Sequence, residues 1–455
     1  MARQAAEHDV VIVGSGFAGL AAGIESLRAG ARTVVVEKRG YTGGNSRISD
    51  AILAAAGTDE QARMGIDDTA ELLVADMLEA GLGHNDEAWA RRVAEGSADA
   101  FRWLADDIGC AFHPAVERFG GHSRPQCIGV VGGGKALVGS LETELRRLDG
   151  DVLTRHTAHR FVVHNGRVTA VEVEADGAPL TVAAALGVVV ASGGYSSDVA
   201  FRMLHDNRLD SSVATTNLPG TTAQVMQAAM GIGAATRDLQ WTQLGPWTSP
   251  DERAYGLAPL FTSFTAFSYG IIVDAATGRR FVNELSDRKV KADALLERGR
   301  PSLAIACEDS VTASGHPVDR AVRSGSVEAF DSIADLAARY GTDTEALTAT
   351  IEDFNAAVAR RHDPAFEKPI LEGCPPLSPP FLAARLWPKT HYTMGGLMID
   401  ASAQVLDEHG TVIPGLFAAG EVTGGTHGAC RLSSMATTEC IVQGRQAGKA
   451  AATAG

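Results

Sequence analysis

Three glycines and one acidic residue near the N terminus have the types and the spacing that dinucleotide binding requires. Gly14, Gly16 and Gly19 follow the apolar run Val10–Val13. Glycines at this spacing permit a tight turn, close approach of the backbone to a pyrophosphate, and close packing of a helix on a sheet. Glu37 ends a second apolar run roughly 20 residues further on, where an acid can bind a ribose hydroxyl. The stretch therefore predicts a strand, turn, helix and strand that bind a dinucleotide, with the pyrophosphate at the helix N-terminus.

The composition excludes several classes of function. The formal net charge of −15 and the lack of a basic stripe argue against nucleic-acid binding. Six cysteines are scattered without a CxxC pair, which argues against zinc, c-type haem and cysteine-ligated iron–sulfur clusters, so no metal site is predicted. No run approaches about 18 apolar residues, so no membrane span is expected. Scattered, reduced thiols are typical of a cytoplasmic protein.

A second glycine-rich segment follows Glu37. It runs from Tyr41 to Ser49, and a loop of this kind can bring backbone N–H groups against a ligand. Taken together, GSGFAGLAAG, the EK pair and GGNS resemble the flavoprotein family of soluble fumarate reductases and succinate dehydrogenases, which also includes urocanate reductases and 3-ketosteroid dehydrogenases. The resemblance implies that Gly44, Asn45 and Ser46 wrap an FAD next to its flavin ring.

The same resemblance implies how FAD is attached and how the chain is divided. Members that bind FAD covalently carry a histidine in this loop, and the residues between Gly40 and Thr58 include none. We therefore expect noncovalent FAD. The implied fold is α/β: a Rossmann-like FAD-binding domain of the glutathione-reductase type with an inserted α+β substrate-capping domain. The aromatic-rich span 241–389 is the predicted inserted domain, and 1–240 with 390–455 form the predicted FAD-binding domain.

One further glycine loop looks like a phosphate-binding loop but departs from it. Gly129-Val-Val-Gly-Gly-Gly-Lys135 is followed by Ala136, where magnesium binding needs Ser or Thr, and no hydrophobic strand leads into it. We therefore expect no ATP or GTP site. Downstream, a strand-rich meander includes Leu180–Ala184, and a separate buried strand is predicted from Gly187.

Four residues near the end of later motifs are expected to complete the cofactor site. The run GVVVASGGY resembles the family's "ATGG" turn and contains Gly194. PGLFAAGEV resembles the family's second flavin motif, with Gly420 and with Glu421 on the ribityl side. The final helix is predicted from Ser433, with its positive N-terminal end directed at the flavin pyrimidine, where it would stabilise negative charge.

The resemblance also implies the reacting groups. HYTMGG contains His391 and Tyr392 and resembles the substrate-site histidine motif, and GTHGACRL contains Arg431, which matches the arginine that clamps a substrate carboxylate. GRRFVNELSDR ends in Arg288, which matches the proton donor of fumarate reductases. Arginine is an unusual acid because its pKa is far above neutral, so Arg288 needs a relay partner and a tightly held geometry.

These residues predict a reaction class. Two cations, His391 and Arg431, can hold a carboxylate or carbonyl oxygen and draw electron density from the adjacent carbons. A hydride would then be exchanged with flavin N5 while a proton moves at the α-carbon through Arg288. The sequence therefore predicts an FAD-dependent dehydrogenase or reductase that acts on CH–CH groups.

The predicted substrate is a small carboxylic acid, with a cyclic oxo acid as one candidate, rather than fumarate. Fumarate reductases place another histidine in the inserted domain, and Gly245 stands in the corresponding stretch, while their Thr-Glu pair is also missing. Trp241 and Trp247 lie in that region and favour an apolar substrate body.

Two alternatives stay open at the level of sequence. The first is a desaturase of ring ketones, similar to 3-ketosteroid dehydrogenases, which would use tyrosines such as Tyr392, Tyr269 and Tyr255. The second is a non-catalytic flavin protein for electron transfer. In each case the electron partner is expected to be separate, because no second nucleotide motif follows Glu37 and no haem or cluster ligands are present.

Overall fold

The computed structural model describes residues 8–454. The β-strands of this described part are β1 (His8–Val13), β2 (Thr33–Glu37), β3 (Ile52–Ala54), β4 (Cys127–Gly129), β5 (Asp151–Thr154), β6 (His156–His164), β7 (Arg167–Ala175), β8 (Ala178–Val190), β9 (Thr236–Arg237), β10 (Thr242–Gly245), β11 (Ile271–Asp274), β12 (Ser302–Cys307), β13 (Glu328–Phe330), β14 (Phe381–Leu386), β15 (Lys389–Thr393), β16 (Gly396–Leu397), β17 (Gln404–Leu406) and β18 (Val412–Ala418).

The α-helices are α1 (Phe17–Arg28), α2 (Asp59–Arg63), α3 (Ala70–Ala80), α4 (Glu87–Glu95), α5 (Ser97–Arg102), α6 (Gly133–Arg147), α7 (Val199–His205), α8 (Gln224–Met230), α9 (Ala258–Phe261), α10 (Phe267–Tyr269), α11 (Arg288–Glu297), α12 (Glu308–Ser314), α13 (Asp319–Ser324), α14 (Ile333–Tyr340), α15 (Thr344–Arg360) and α16 (Met435–Ala452). A 3-10 helix spans Gly44–Ile48, and π-helical turns span Trp103–Asp107 and Thr262–Ala266.

The chain forms two compact units. Unit 1 comprises the residues up to 207, 218–243 and those from 392 onward, and unit 2 comprises 208–217 and 244–391. The predicted boundaries at 240 and 390 lie close to these positions, but they assign 208–217 to the FAD-binding domain. In the structure Trp387 Nε1 donates to Ser212 O at 3.1 Å, and Arg208 forms an ion pair with Asp293 at 3.0 Å. These long-range contacts group residues 208–217 with unit 2. The local sequence could not predict them.

A mainly parallel sheet forms the centre of unit 1. Its strand order is β17-β18-β8-β1-β2-β5, and β1 pairs in parallel with both β2 and β8. Val10–Val13 are buried because the sheet has neighbours on both sides and helices against it. This is why a continuous apolar run, rather than an alternating one, encodes this strand.

Helices α1 and α16 pack against each other at very short range in unit 1. A Cβ atom on Gly444 would lie 2.4 Å from Ala18 O, and one on Gly448 would lie 2.0 Å from Ala22 O. Only glycine fits at these two positions of α16. The close packing holds α1, whose N-terminus follows the Gly14–Gly16 turn, against the last helix of the chain.

The strand β8 is longer than the sequence pattern predicts. Leu180–Ala184 and the run from Gly187 belong to one continuous strand, Ala178–Val190, whose first half pairs with β7 and whose second half pairs with β1. Gly187 does not interrupt it. A Cβ there would lie 2.9 Å from Phe417 Cε2, so the glycine makes room for the ring of a neighbouring strand.

Unit 2 is built on an antiparallel sheet with order β11-β12-β14-β13. Alternate residues of its strands belong to two different core clusters, with Ile272 and Ala304 in one and Ile271 and Ile305 in the other. Both faces of the sheet are therefore covered, one by residues of α9, α11 and α13 and the other by residues of α14 and α15.

Three further observations concern the described residues as a group. No helix among them is long and apolar enough to cross a membrane. No group of three or more His, Cys, Asp or Glu side chains in residues 8–454 is arranged to hold a metal ion. All six cysteines are free thiols.

Candidate active site

The glycine turn between β1 and α1 has the conformation that close backbone approach requires. Gly14 has φ +107°, and a Cβ on it would lie 2.4 Å from Ala191 O. A Cβ on Gly19 would lie 1.9 Å from Gly14 O, so this glycine allows α1 to pack against the turn itself. Gly16 has ordinary extended backbone and lines a cleft, where a Cβ would approach Ser46 Oγ at 3.2 Å. Its lack of a side chain keeps the cleft open at the start of α1.

Glu37 is held rigidly at the end of β2. Its Oε2 accepts hydrogen bonds from Ser15 N at 3.2 Å and Ser15 Oγ at 2.6 Å, and its Oε1 accepts one from Arg39 N at 2.8 Å. An ionised carboxylate has about four lone-pair sites, so this arrangement leaves capacity to accept from ribose hydroxyls. The side chain lines the cleft.

The GGNS segment bridges the turn and a more distant part of unit 1. Ser46 Oγ accepts from Phe17 N at 3.0 Å, which satisfies one of the free amides of the first turn of α1. Asn45 Nδ2 donates to Thr221 Oγ1 at 3.0 Å, and Asn45 Oδ1 accepts from Leu218 N at 2.9 Å. The loop is thereby fixed along the wall of the cleft, with Gly44 at φ +47°.

Glu421 also lines this cleft and is the third residue after the end of β18. It accepts hydrogen bonds from Thr393 N at 3.0 Å and Thr393 Oγ1 at 3.2 Å. Burial raises its pKa to about 7, against the opposing effects of Thr393 and of the positive charge of Arg431. A Cβ on Gly194 would lie 2.4 Å from Glu421 Oε1, so Gly194 makes room for the carboxylate. Gly420, at φ +76°, is close to α1, where a Cβ would lie 2.9 Å from Ala18 Cβ.

These features surround a cleft in unit 1. The predicted cofactor residues that line it are Gly14, Gly16, Glu37, Gly44, Asn45, Ser46 and Glu421. Gly19, Gly194 and Gly420 lie behind the wall and shape it through close packing. Ser433 is not among the lining residues: it precedes α16, which begins only at Met435, and its Oγ donates to Gly120 O at 3.1 Å.

Sequence reasoning missed several residues of the cleft wall. Lys38 and Arg39 follow Glu37 directly, and Thr157, Gln224 and Cys440 reach the wall from β6, α8 and α16. Burial lowers the pKa of Lys38, whose Nζ donates to Gly220 O. The position of Lys38 beside a predicted ribose-binding acid was a usable signal, whereas Thr157, Gln224 and Cys440 carry none in the local sequence.

The donor set and shape of the cleft fit FAD. A helix N-terminus with glycine at its cap suits a pyrophosphate, a fixed carboxylate suits a ribose, and the positive φ of Gly14 and the open face of Gly16 form a cradle that a Cβ would fill. The residues that would hold the group are therefore those of the turn, Glu37, the GGNS segment and Glu421. The fit does not depend on any residue of unit 2.

Arg431 lies in a buried polar network of unit 1. Its Nη1 donates to Leu432 O at 2.8 Å, and its guanidinium lies 4.9 Å from the ring centroid of Tyr392. Tyr392 OH donates to Glu439 Oε2 at 2.6 Å, and His427 Nε2 contacts the same oxygen at 3.0 Å. The guanidinium is thus held on an aromatic face whose own orientation is fixed by a carboxylate.

The electrostatics of this network keep Glu439 charged and Tyr392 neutral. Burial raises the pKa of Glu439, but His427 and the hydrogen bonds outweigh this effect and leave the pKa below its usual value. Burial, together with Glu439 and Glu421, raises the pKa of Tyr392 well above its usual value. Sequence reasoning did not identify Glu439, although it is the single acidic residue of α16 and this was a possible signal.

In unit 2 the structure brings together Arg288, His391 and Trp247. His391 Nδ1 is 2.8 Å from Thr216 Oγ1, and the edge of its ring approaches Trp247 with centroids 5.9 Å apart. The Arg288 guanidinium lies 5.6 Å from the centroid of Trp247. The indole therefore contacts both of the predicted reacting side chains of this unit.

Arg288 is positioned by the start of α11. It is the first residue of that helix, and Asp287 caps the helix by accepting from Lys289 N at 2.7 Å. Lys291 Nζ donates to Glu284 O at 3.0 Å and to Ser286 O at 2.8 Å, which ties down the turn that leads into Arg288. Burial lowers the pKa of Lys291 to about 8.

Glu284 in turn belongs to a buried ion-pair cluster. Arg280 Nη2 contacts Glu284 Oε2 at 2.7 Å and Asp363 Oδ2 at 2.8 Å, and Lys368 Nζ lies 3.5 Å from Glu284 Oε2. Breaking a buried pair of this kind by removal of one partner is strongly destabilising. The motif GRRFVNE is thus the structural anchor of the turn that presents Arg288.

Comparison with known proteins identifies similar chains. A family described as FAD binding domain matches residues 9–436. The acrylate reductase flavoprotein subunit of Shewanella woodyi is 37% identical, over 97% of this chain and 91% of that protein. The open conformation of a flavocytochrome c3 fumarate reductase is 30% identical with a TM-score of 0.84, over 99% of this chain and 79% of that one. A 3-ketosteroid-Δ4-(5α)-dehydrogenase of Rhodococcus jostii RHA1 is 25% identical with a TM-score of 0.80, over 98% and 97%.

Proposed function

Because this chain belongs to the FAD-binding-domain family, we propose that it is an FAD-dependent oxidoreductase that reduces, or in reverse introduces, a C–C double bond next to a carboxylate or carbonyl group. The observation that carries the proposal is the placement of Arg431. Its guanidinium is buried over Tyr392, and its charge acts on Glu421, which lines the FAD cleft of the same unit.

In the proposed mechanism each side chain of the chain has a distinct task. Arg431 binds the substrate carboxylate and draws electron density away from the β-carbon. FAD, when bound, supplies or accepts the hydride at flavin N5. Arg288 donates the proton to the α-carbon in the direction of reduction and accepts it in the direction of oxidation. His391, held through Nδ1 by Thr216, binds a second substrate oxygen through Nε2.

The proposed substrate is a small α,β-unsaturated acid with one carboxylate, either acrylate-like or cyclic with an oxo group, rather than fumarate. The 37% identical relative is named an acrylate reductase subunit, which supports the first form. The surroundings of His391 support a single carboxylate, because Trp247 packs against its ring and burying a charge against apolar surface is costly. Gly245 has no side chain to offer, and a Cβ there would meet Trp247 Cε2 at 3.3 Å.

We also propose that electrons reach the protein from a separate donor. The same relative is named a flavoprotein subunit, which supports a partner that carries the electrons. The described residues include no group of three or more potential metal-ligating side chains, so this proposal does not depend on an additional metal centre in that part of the chain.

A ring-ketone desaturase is the second candidate, and the similarity to the ketosteroid dehydrogenase favours it. Its chemistry needs a tyrosine as acid or base. Tyr392 is already hydrogen-bonded to Glu439 and lies under Arg431, while the Tyr255 ring lies 6.4 Å from that of His391. The hydrogen bond from Tyr392 to Glu439 therefore supports an unsaturated acid as substrate over a ring ketone.

The test is anaerobic turnover of the holoprotein. The flavin is first reduced chemically, and its reoxidation is followed after mixing with acrylate, fumarate, a cyclic oxo acid or a steroid enone. We expect fast reoxidation by one of the monocarboxylates and slow reoxidation by fumarate. Fast reoxidation by the enone alone would establish the second candidate, and no substrate-dependent reoxidation at all would leave a non-catalytic flavin protein.

A further inference from the structure

Gln243 presents a buried amide whose N–H donors have no acceptor among residues 8–454. The residue is 3% exposed, and its Oε1 accepts a hydrogen bond from Arg431 N at 3.2 Å. Its Nε2 has no hydrogen-bond partner among the described residues. An amide NH₂ group without an acceptor in the interior costs about 1–3 kcal/mol, so this position needs an explanation.

The orientation of the amide follows from its neighbour. Arg431 N is a donor, so the atom of Gln243 that faces it must be the oxygen, and the NH₂ group must point away from it. The opposite orientation would place two donors against each other. The NH₂ group of Gln243 is therefore a fixed feature of the site and lies beside the same residue whose guanidinium is the predicted carboxylate clamp.

The nearby buried carboxylates already have partners. Glu439 accepts from Tyr392 and contacts His427, and Glu421 accepts twice from Thr393. The Gln243 NH₂ group needs an acceptor, and Arg431, whose backbone N–H binds the Gln243 oxygen, carries a cationic side chain. An oxygen with negative charge suits both the neutral donor and the cation. A substrate carboxylate has this chemistry.

We propose that Gln243 is a substrate-binding residue whose Nε2 donates a hydrogen bond to an oxygen of the carboxylate that Arg431 binds. This inference rests on the proposed function and adds to it a second, neutral donor on the carboxylate. Gln243 joins the two roles in one side chain: its oxygen fixes the backbone of Arg431, and its NH₂ group completes the anion site. The pair is separated by 188 residues in the chain, so only the fold brings it together.

The decisive variant is Gln243→Glu. It keeps an oxygen that can accept from Arg431 N, but it replaces the NH₂ donor with a second carboxylate oxygen that repels the substrate. We expect the KM for acrylate, and the Kd of propionate measured by perturbation of the flavin absorption band, to rise about tenfold or more, which corresponds to about 1.4 kcal/mol. FAD content and melting temperature should stay close to those of the unmodified holoprotein.

Two further measurements separate binding from a structural role. The defect of Gln243→Glu should shrink as the pH falls from about 8 to about 5, because burial at this position raises the pKa of the introduced carboxyl group and its protonated form regains an O–H donor. Gln243→Met, which lacks donor and acceptor at similar volume, should show a defect without this pH dependence. Gln227→Glu makes the same chemical change at an exposed position of α8 and serves as the control for added charge.

The outcomes distinguish this inference from the function on which it rests. If the unmodified protein turns over acrylate and Gln243→Glu has an unchanged KM and propionate Kd, the inference is wrong and the proposed function stands. A tenfold defect that is identical at all pH values and in both variants would assign Gln243 a purely structural role and also overturn it. If the unmodified holoprotein neither binds nor turns over any carboxylate, both proposals fail together.

Discussion

The Tyr392 hydroxyl donates a 2.6 Å hydrogen bond to the buried carboxylate of Glu439, and the Arg431 guanidinium lies over the Tyr392 ring, 4.9 Å from its centroid. The tyrosine therefore couples an anion on α16 to the predicted carboxylate clamp. Since its hydroxyl is already hydrogen-bonded to Glu439, we predict that Tyr392 positions Arg431 and does not transfer a proton.

Tyr392→Phe tests this assignment. The ring remains under Arg431, but Glu439 loses a donor, so we expect stability to fall by about 1–3 kcal/mol and turnover of an acid substrate to fall by less than about tenfold. Melting temperature and kcat/KM measure the two effects. Tyr340→Phe, which removes a more exposed hydrogen bond to Glu328, is the matched control. Complete loss of turnover at unchanged stability would instead make Tyr392 an acid or base.

Arg431→Met should remove the carboxylate clamp. The variant keeps an apolar stem over Tyr392 but loses the charge, so we expect kcat/KM for acid substrates to fall by about two to three orders of magnitude. Arg237→Met, at a half-buried arginine that pairs with Asp86 and Asp238, controls for the loss of a cation from unit 1. Unchanged turnover in Arg431→Met with every responsive substrate would contradict the proposed mechanism.

Arg288→Gln should separate proton transfer from cofactor binding. We expect kcat to fall by about 10²–10⁴-fold, the usual contribution of a general acid, while FAD content is retained. Lys289→Gln, the next residue of the same helix turn, is the matched control because its partner is Asp293. Full turnover of Arg288→Gln would remove this residue from the mechanism.

Glu421 should make stability depend on pH. Its pKa is raised from 4.5 to about 7, so the folded state favours the protonated form. The resulting stabilisation is fully present below about pH 4.5 and is lost as pH rises through about 7, a change of about 3 kcal/mol. Melting curves of the holoprotein should show the unmodified protein losing stability relative to Glu421→Gln between about pH 5 and about pH 8. Parallel curves would contradict the raised pKa.

Gly14→Ala should impair FAD binding more than an equally strained substitution elsewhere. Gly14 and Gly30 both have positive φ, but a Cβ on Gly14 would lie 2.4 Å from Ala191 O, whereas one on Gly30 meets nothing within 4 Å. Gly30→Ala should therefore cost only about 1–2 kcal/mol of backbone strain. We expect purified Gly14→Ala to contain little FAD and Gly30→Ala to be fully loaded. Equal FAD content in both would show that the turn tolerates a side chain.

The predictions of fold class, cofactor and enzyme class are confirmed. The α/β fold, FAD as cofactor and an oxidoreductase of the fumarate reductase-like flavoprotein family agree with the family match and with the similar proteins. Gly14, Gly16 and Glu37 could be placed because a turn, a helix start and a strand end lie within one contiguous stretch. Noncovalent attachment of FAD, the cofactor-binding roles of Gly14, Gly16 and Glu37, and the roles of Arg288, His391 and Arg431 stay predictions.

Local patterns failed where a distant neighbour decides the role of a residue. The sequence predicts that a new strand begins at Gly187, but β8 continues through this residue. A glycine is needed there because the Phe417 ring packs against it. Ser433 precedes a helix-like pattern, yet α16 starts two residues later because Ser434 adopts φ +64° as its cap. In both cases the deciding contact or conformation is set by packing.

The sequence by itself determined the cofactor and the reaction class, because nucleotide binding and flavin motifs are read over spans short enough for spacing to specify geometry. Only the tertiary structure decided which side chains surround the predicted clamp. Glu439 reaches Tyr392 across 47 residues, and Gln243 reaches Arg431 across 188. Hydrogen bonds over such separations depend on how the sheet and helices pack. Burial then gives each donor without an acceptor at the site a free-energy cost.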